Sequence, residues 1–208
     1  MNIVFITMDG ARVDRMFNAP NYSNLISKSA FFSKVIAYAP FTIAAMHAVF
    51  SGTYGFKNGV NSYWKTPNFK KTIYKTLPKF LNDNGYRTFG DSINKLILPP
   101  DGFDELNIHD ELNDNLTERH KLLLEKMKKL KQSDDSFFLY LHYSKIHTGI
   151  MQEVLKKYDN FSEEYFSNKE KNAKFYDELF QNADKYLGEI FQHFKFLGLD
   201  EDTLLVVI

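Results

Sequence analysis

The chain has 208 residues, 44% of them hydrophobic and 16% aromatic, which is enough apolar surface for one sizeable core and too much for a disordered chain. Its 26 basic and 26 acidic residues cancel, so no global field favours nucleic acid, an anionic membrane or an acidic substrate, and any charge selectivity has to be local. With no cysteine, disulfides, zinc–thiolate sites and a cysteine nucleophile are excluded, and a metal would have to take Asp, His or Thr ligands.

The N-terminus, "MNIVFITMDG", enters an apolar strand at once. It carries no basic n-region, long apolar h-region or small-residue cleavage site, so the expectation is a cytoplasmic protein, or a chain trimmed to its first strand. No apolar run reaches the roughly 20 residues needed to cross a bilayer. Asn-x-Ser/Thr triplets at Asn21, Asn115 and Asn160 would matter only in a secreted protein.

In chain order, Ile3 to Met8 is the first strand. A helix over Tyr22 to Ser29 follows, then a short extended piece, Phe31 to Ala37, and a helix entered at Thr42. Thr76 to Asn84 predicts a helix stopped by Asn84-Gly85 before a strand over Tyr86 to Gly90. "PPDGFDEL", residues 99 to 106, reads as a loop, and Thr117 to Gln132 as a basic amphipathic helix with Leu122, Leu123, Met127 and Leu130 on or near one face. "SFFLYLHY", residues 136 to 143, is the most strand-like run. Ser162 to Lys174 reads as a polar surface excursion. Phe175 to Leu197 predicts a long helix closed by Gly198, with Leu179, Phe180, Ala183, Leu187, Ile190, Phe191 and Phe194 at steps of three and four.

After "GLDED" the run "TLLVVI" reads as a central buried strand, so the chain is expected to continue past Ile208, with 1–208 the N-terminal part of a single α/β domain. Short strands, apolar on both faces and alternating with helices, predict a mostly parallel central sheet with helices on both faces, truncated within the sheet.

In such a sheet ligands gather at the carboxyl ends of the strands. Asp9 stands at that end of the first strand, where it reads either as a turn cap with Gly10 supplying the bend or as a ligand for a hard metal ion. Thr42 reads as the N-cap of "TIAAMHAVF", but a hydroxyl at a helix N-terminus is also placed where backbone N–H groups stabilise an attacked phosphoryl or sulfuryl group. With no adjacent base, a nucleophile there needs a divalent ion for activation. His47 and His147, each taken alone, read as structural or surface histidines. His147, however, lies just past the strand Phe137 to His142, and His142 with His147, Lys145 between them, would offer donors and a cation to a tetrahedral oxyanion.

Several segments together resemble the alkaline-phosphatase-like superfamily, which includes sulfatases, nucleotide pyrophosphatases and phosphoethanolamine transferases. "NIVFITMDGARVDRM" is similar to its opening strand and first metal-ligand loop, and "APFTIAAMHAVFSGTYGFKNGV" to its nucleophile segment. "LPKFLNDNGYRT" and "GFDEL" resemble the next αβ unit, "FFLYLHYSKIHTGI" the strand with a substrate-contacting histidine, and "ADKYLGEIFQHFKFLGLDEDTLLVVI" the helix and strand before the second metal motif. The resemblance covers nearly the whole chain. It implies Asp9 as a metal ligand, Thr42 as a metal-bound nucleophile that forms a covalent phospho-enzyme, and His147 as a contact to the transferred group. The implied cofactor is a divalent metal, Zn, Mn or Ca.

The departures are specific. Sulfatases convert a Cys or Ser to formylglycine, with Pro two and Arg four positions on, whereas here Thr42, Ala44 and Met46 stand in those places. Gly10 replaces a second Asp common in sulfatases and matches the Asp-Gly of the pyrophosphatase and phosphodiesterase branches. The family's Lys and His after the second αβ unit have only Lys95 near the expected place. In the family the strand similar to "TLLVVI" is followed at once by an Asp-His pair, and this sequence stops at Ile208 first, so the 208 residues alone are expected to be inactive. The expected function is metal-dependent hydrolysis or transfer of small-molecule phosphate esters through Thr42, with no nucleic-acid partner and no membrane span. The alternatives are a sulfatase-like sulfuric ester hydrolase and an inactive binding protein on the same fold.

Overall fold

The computed structural model describes residues 1–99, 101–152 and 163–208; Asn160 and Ser162 of the sequence reading lie outside the described residues. Five parallel strands occupy the centre: β1 (Asn2–Met8), β2 (Arg87–Ser92), β3 (Glu105–Ile108), β4 (Phe137–Tyr143) and β5 (Thr203–Val207), in the spatial order β3-β2-β4-β1-β5. Every residue of the middle strand β4, FFLYLHY, is buried, which is why its sequence is apolar on both faces rather than alternating.

The β1–β4 register pairs Ile3 with Phe138, Phe5 with Tyr140 and Thr7 with His142. Because side chains alternate along a strand, these six share one face and Val4, Ile6, Leu139 and Leu141 share the other. The first face packs against α3 (Thr42–Ser51) and α5 (Leu77–Asp83) through Ile43, Met46, Phe50 and Leu81. The second packs against α2 (Pro20–Ile26), α6 (Leu116–Gln132) and α9 (Lys169–Phe196) through Tyr22, Leu124, Met127, Phe180 and Leu187. Helices cover both faces, as the sequence pattern implies. Burying side chains such as Leu124 and Met127 contributes about 1.5–3 kcal/mol each, and truncating Phe138 to Ala at the centre costs about 3–5 kcal/mol.

Local chemistry sets the helix ends. Asn115 Oδ1 accepts from the backbone N–H groups of Thr117 and Glu118 and starts α6, while Thr76 Oγ1 accepts from Lys79 N at the start of α5; both are N-caps. The α2 terminus is satisfied from another helix, since the buried Asp184 carboxylate of α9 accepts from Asn21 N at 3.0 Å and Tyr22 N at 2.9 Å. One turn further along α9, a Cβ on Gly188 would fall 2.4 Å from Asn21 Oδ1, so a side chain there would displace the Asn21 amide that donates to Asp184 Oδ2.

Several expectations change. Residues 105–108, read as loop, form β3, a half-buried strand beside β2. On α6 the predicted Met127 is buried and Leu123 and Leu130 pack against the same core, but Leu122 faces solvent at 65% exposure, and the buried stripe also takes in Leu116, Leu124 and a histidine, His120. Phe31 to Ala37 joins no strand. Residues 163–174, read as a polar surface excursion, are mostly exposed as expected, but they are largely helical, in α8 (Glu163–Ser167) and the first turns of α9. Among the described residues β5 pairs with β1 alone and is half-exposed rather than central, with Leu204 at 49% exposure. Three short helices complete the elements used below, α1 (Val13–Met16), α4 (Gly55–Asn58) and α7 (Lys145–Ile150).

Candidate active site

β1 ends at Met8, and the Asp9 N–H still donates to Tyr143 O at 2.9 Å, carrying the pairing with β4 one residue further. Gly10 then turns the chain at φ +86°, where a Cβ would lie 3.2 Å from Ile146 Cγ2 and 3.3 Å from the backbone N of His147. Only glycine combines that backbone angle with that closeness to α7. By the strand period Asp9 continues the Phe5 and Thr7 face, which is the face that carries His142. His142 Nε2–H accordingly donates to Asp9 Oδ2 at 3.2 Å, and Ser92 Oγ lies 3.5 Å from His142 Nδ1; these partners assign the Nε2–H tautomer.

Thr42 is the first residue of α3, and the N-cap position belongs to Phe41. The expected capping role is therefore corrected: the Thr42 hydroxyl makes no capping bond and donates instead to Asp9 Oδ2 at 3.1 Å. The unbonded N–H groups of the first turn of α3 lie at the same end. Burial pushes the Asp9 carboxyl up, but hydrogen bonds from His142 and Thr42, together with the His142 and His147 rings, outweigh it and hold the carboxyl below the usual aspartate range. His147 sits half-buried in α7, close enough to act on Asp9 through its charge.

The structure thus brings Asp9, Thr42 and His147 together and adds His142 at their base. His47 is elsewhere: it is fully buried in α3, hydrogen-bonded through Nδ1 to Ile43 O at 2.8 Å and edge-on to Phe69. Lys145 Nζ donates to the carbonyls of Glu111 and Leu112.

Sequence reasoning missed a second cluster on the opposite face of the same sheet edge. Asp91 and Ser92 are neighbours in β2 and so point to opposite sides, Ser92 toward His142 and Asp91 toward α6. Asp91 Oδ2 accepts from His109 Nδ1 at 2.9 Å and from His120 Nε2 at 3.0 Å, and Arg119 Nε donates to Oδ1 at 2.9 Å. The outer ring nitrogens are also partnered, His109 Nε2 with Ser144 Oγ at 3.2 Å and His120 Nδ1 with Tyr186 OH at 2.6 Å. Burial pushes the Asp91 carboxyl up, yet its histidine hydrogen bonds dominate and hold it far below the usual range; burial pushes the His120 ring down and keeps it neutral. An acidic residue inside the strand "TFGDS" is the one sequence signal for this cluster, because the two histidines share no motif with it.

Two donor sets could serve a cation. Asp9 and Thr42 offer hard oxygens at a half-open strand end, which fits a divalent ion held in part by this chain. Asp91, His109 and His120 bring three ligand atoms within 4.8 Å of one another, but there every ring nitrogen is already hydrogen-bonded and Arg119 neutralises the carboxylate.

A family model described as Sulfatase matches residues 1–208. No curated protein matches the chain significantly. Among solved structures, the lipoteichoic acid synthase LtaP from Listeria monocytogenes is 17% identical with a TM-score of 0.70, over 99% of this chain and 55% of that one. A protein in the alkaline phosphatase superfamily from Vibrio parahaemolyticus is 19% identical with a TM-score of 0.68, over 99% of this chain and 53% of that one. A third is murine ectonucleotide pyrophosphatase/phosphodiesterase 5, as an inactive threonine-to-alanine variant in complex with AMP; it is 10% identical with a TM-score of 0.67, over 100% of this chain and 56% of that one. The chain spans little more than half the length of these three structures. Identities this low carry the fold alone, whereas the family match runs over the full sequence, and on that ground the chain belongs to the Sulfatase family.

Proposed function

We propose that this chain supplies the nucleophile half of a metal-dependent phosphoester hydrolase or phosphotransferase. The observation that carries the reading is the hydrogen bond from Thr42 Oγ1 to Asp9 Oδ2, 3.1 Å long, at the N-terminus of a ten-residue helix. Asp9 and Thr42 would hold a divalent ion, which supplies the Lewis acidity that makes a threonine hydroxyl nucleophilic at neutral pH. Thr42 Oγ1 attacks phosphorus in line, the Oγ1–P bond forms as the ester P–O bond breaks, and the proton lost from Oγ1 balances the one gained by the departing alcohol. His147 contacts the phosphoryl oxygens, and the first-turn N–H groups of α3 stabilise the charge that builds on them. Water or an acceptor alcohol then takes the group from Thr42.

Phosphate is favoured over sulfate because Thr42 cannot become formylglycine, and the murine relative that binds AMP is inactivated by loss of a threonine. The test is turnover of matched phosphate and sulfate esters by the intact protein and its Thr42→Ala variant. Phosphate-ester turnover that the variant lacks supports the reading; sulfate-ester turnover, or full activity without Thr42, overturns it.

A further inference from the structure

Residues 15–82 contain nine basic residues and not one carboxylate, in a chain whose charges balance over its whole length at 26 and 26. Three of the nine are paired with carboxylates outside the segment, Arg15 with Asp14 and Asp177, and Lys75 and Lys79 with Asp83. The other six, Lys28, Lys34, Lys57, Lys65, Lys70 and Lys71, are exposed and form no ion pair among the described residues.

Bulky apolar side chains stand between these lysines in solvent. Phe32 is 76% exposed, Val35 75%, Ile36 93%, Phe56 64%, Trp64 75% and Ile73 68%. Two aromatic ladders join the tips to the entrance of α3. Tyr38 stacks on Tyr54 and Tyr54 on Phe56, with centroids 5.4 and 5.9 Å apart. Phe41 leans on Tyr63, which meets Trp64 edge-on, at 5.9 and 4.9 Å.

We propose that this segment docks the protein onto an anionic lipid surface, with Phe32, Ile36 and Trp64 in the headgroup layer and the five lysines from Lys34 to Lys71 against lipid phosphates. Charge complementarity selects the occupant. A second copy would meet the same positive field, and a nucleic acid gains nothing from the aliphatic tips Val35, Ile36 and Ile73, which cannot stack on bases. Bulky apolar tips with flanking lysines match the chemistry of a bilayer interface, where the rings and aliphatic chains enter and the ammonium groups remain at phosphate level. No helix among the described residues is long and apolar enough to cross a membrane, so the contact is peripheral. Since Phe41 immediately precedes Thr42, docking holds that end of α3 beside the bilayer.

Trp64 is the only tryptophan in the sequence, so its fluorescence reports on this face directly. The intact protein is mixed with phosphatidylcholine vesicles, with or without about 30 mol% phosphatidylglycerol, at about 0.1 M and about 1 M salt. The expected result is a blue shift and co-sedimentation with the anionic vesicles alone, reversed at high salt. Lys70→Gln with Lys71→Gln should lower partitioning about 25-fold, fivefold for each charge removed, while circular dichroism stays unchanged. Equal binding to neutral vesicles, no binding to either, or binding that survives the double variant overturns the proposal. So does Trp64 emission that is already blue and shielded from iodide without vesicles, which would mean that protein covers the face.

Discussion

Thr42 and Asp9 lie 33 residues apart and meet through one hydrogen bond of 3.1 Å, hydroxyl to carboxylate. The hydroxyl is spent on Asp9 rather than on its own helix, which separates catalysis from stability at this position. Thr42→Ala should lower turnover at least about 10³-fold and cost no more stability than its one hydrogen bond to a carboxylate, about 1.5–3 kcal/mol. Thr42→Ser should restore part of the rate. Steady-state kinetics beside urea unfolding checks this, and a destabilisation matching the lost activity would refute the separation.

Asp9→Asn keeps the shape and removes the charge. Bound divalent metal, measured by elemental analysis of the purified intact protein, should fall below stoichiometric, and chelation of the parent protein should abolish turnover reversibly. Unchanged metal content in Asp9→Asn would count against Asp9 as a ligand.

His142 holds the Asp9 carboxylate from beneath through Nε2, with Ser92 at its other nitrogen. A partner of this kind typically changes metal affinity or activity by about 10–100-fold when lost. His142→Gln, which can still donate near the Nε2 position, should retain more metal affinity than His142→Ala, and both more than Asp9→Asn. Titration with the metal alone ranks the three, and an effect of His142→Ala on Tm without any on metal affinity would leave His142 purely structural.

The Asp91 cluster predicts acid lability. His120 stays neutral in the fold while an unfolded histidine protonates below about 6.5, and Asp91 stays ionised while an unfolded aspartate protonates below about 3.9. In both cases the unfolded chain binds more protons, so stability should decline as pH falls below about 6.5 and again below about 3.9. Asp91→Ala strips two histidines and Arg119 of their shared acceptor and should cost about 3–5 kcal/mol at neutral pH. Denaturant titrations across pH measure both; a flat profile between pH 7 and 5 would show that His120 is not held neutral.

Gly10→Ala tests the turn that aims Asp9. At φ +86°, with Ile146 Cγ2 and His147 N within 3.3 Å of the new Cβ, the substitution should cost more than about 1 kcal/mol and lower activity further by moving α7. Crystallography or metal titration of the variant would reveal a displaced Asp9, and unchanged stability would contradict the strain.

Much of the fold is legible because it depends on local pattern. "FFLYLHY" is apolar on both faces and is the middle strand; Asn84-Gly85 ends a helix; Asp9-Gly10 lies at a strand end where ligands gather. The misread elements depend on neighbours. β3 is short and half-buried, so it carries little strand signal, and the α6 stripe includes a histidine that is apolar only in the sense of being buried.

What the sequence determined by itself is the parallel α/β layering, the candidate pair Asp9 and Thr42, and family membership, because strand period, turn glycines and motif order are written along the chain. What only the tertiary structure decided is how the polar groups are spent. The β1–β4 register sets His142 beneath Asp9, the alternation within β2 sends Ser92 and Asp91 to opposite faces, and the packing of α6 against α9 joins His120 to Tyr186. Hydrogen bonds between residues tens of positions apart are fixed by register and packing, which no local window of sequence contains.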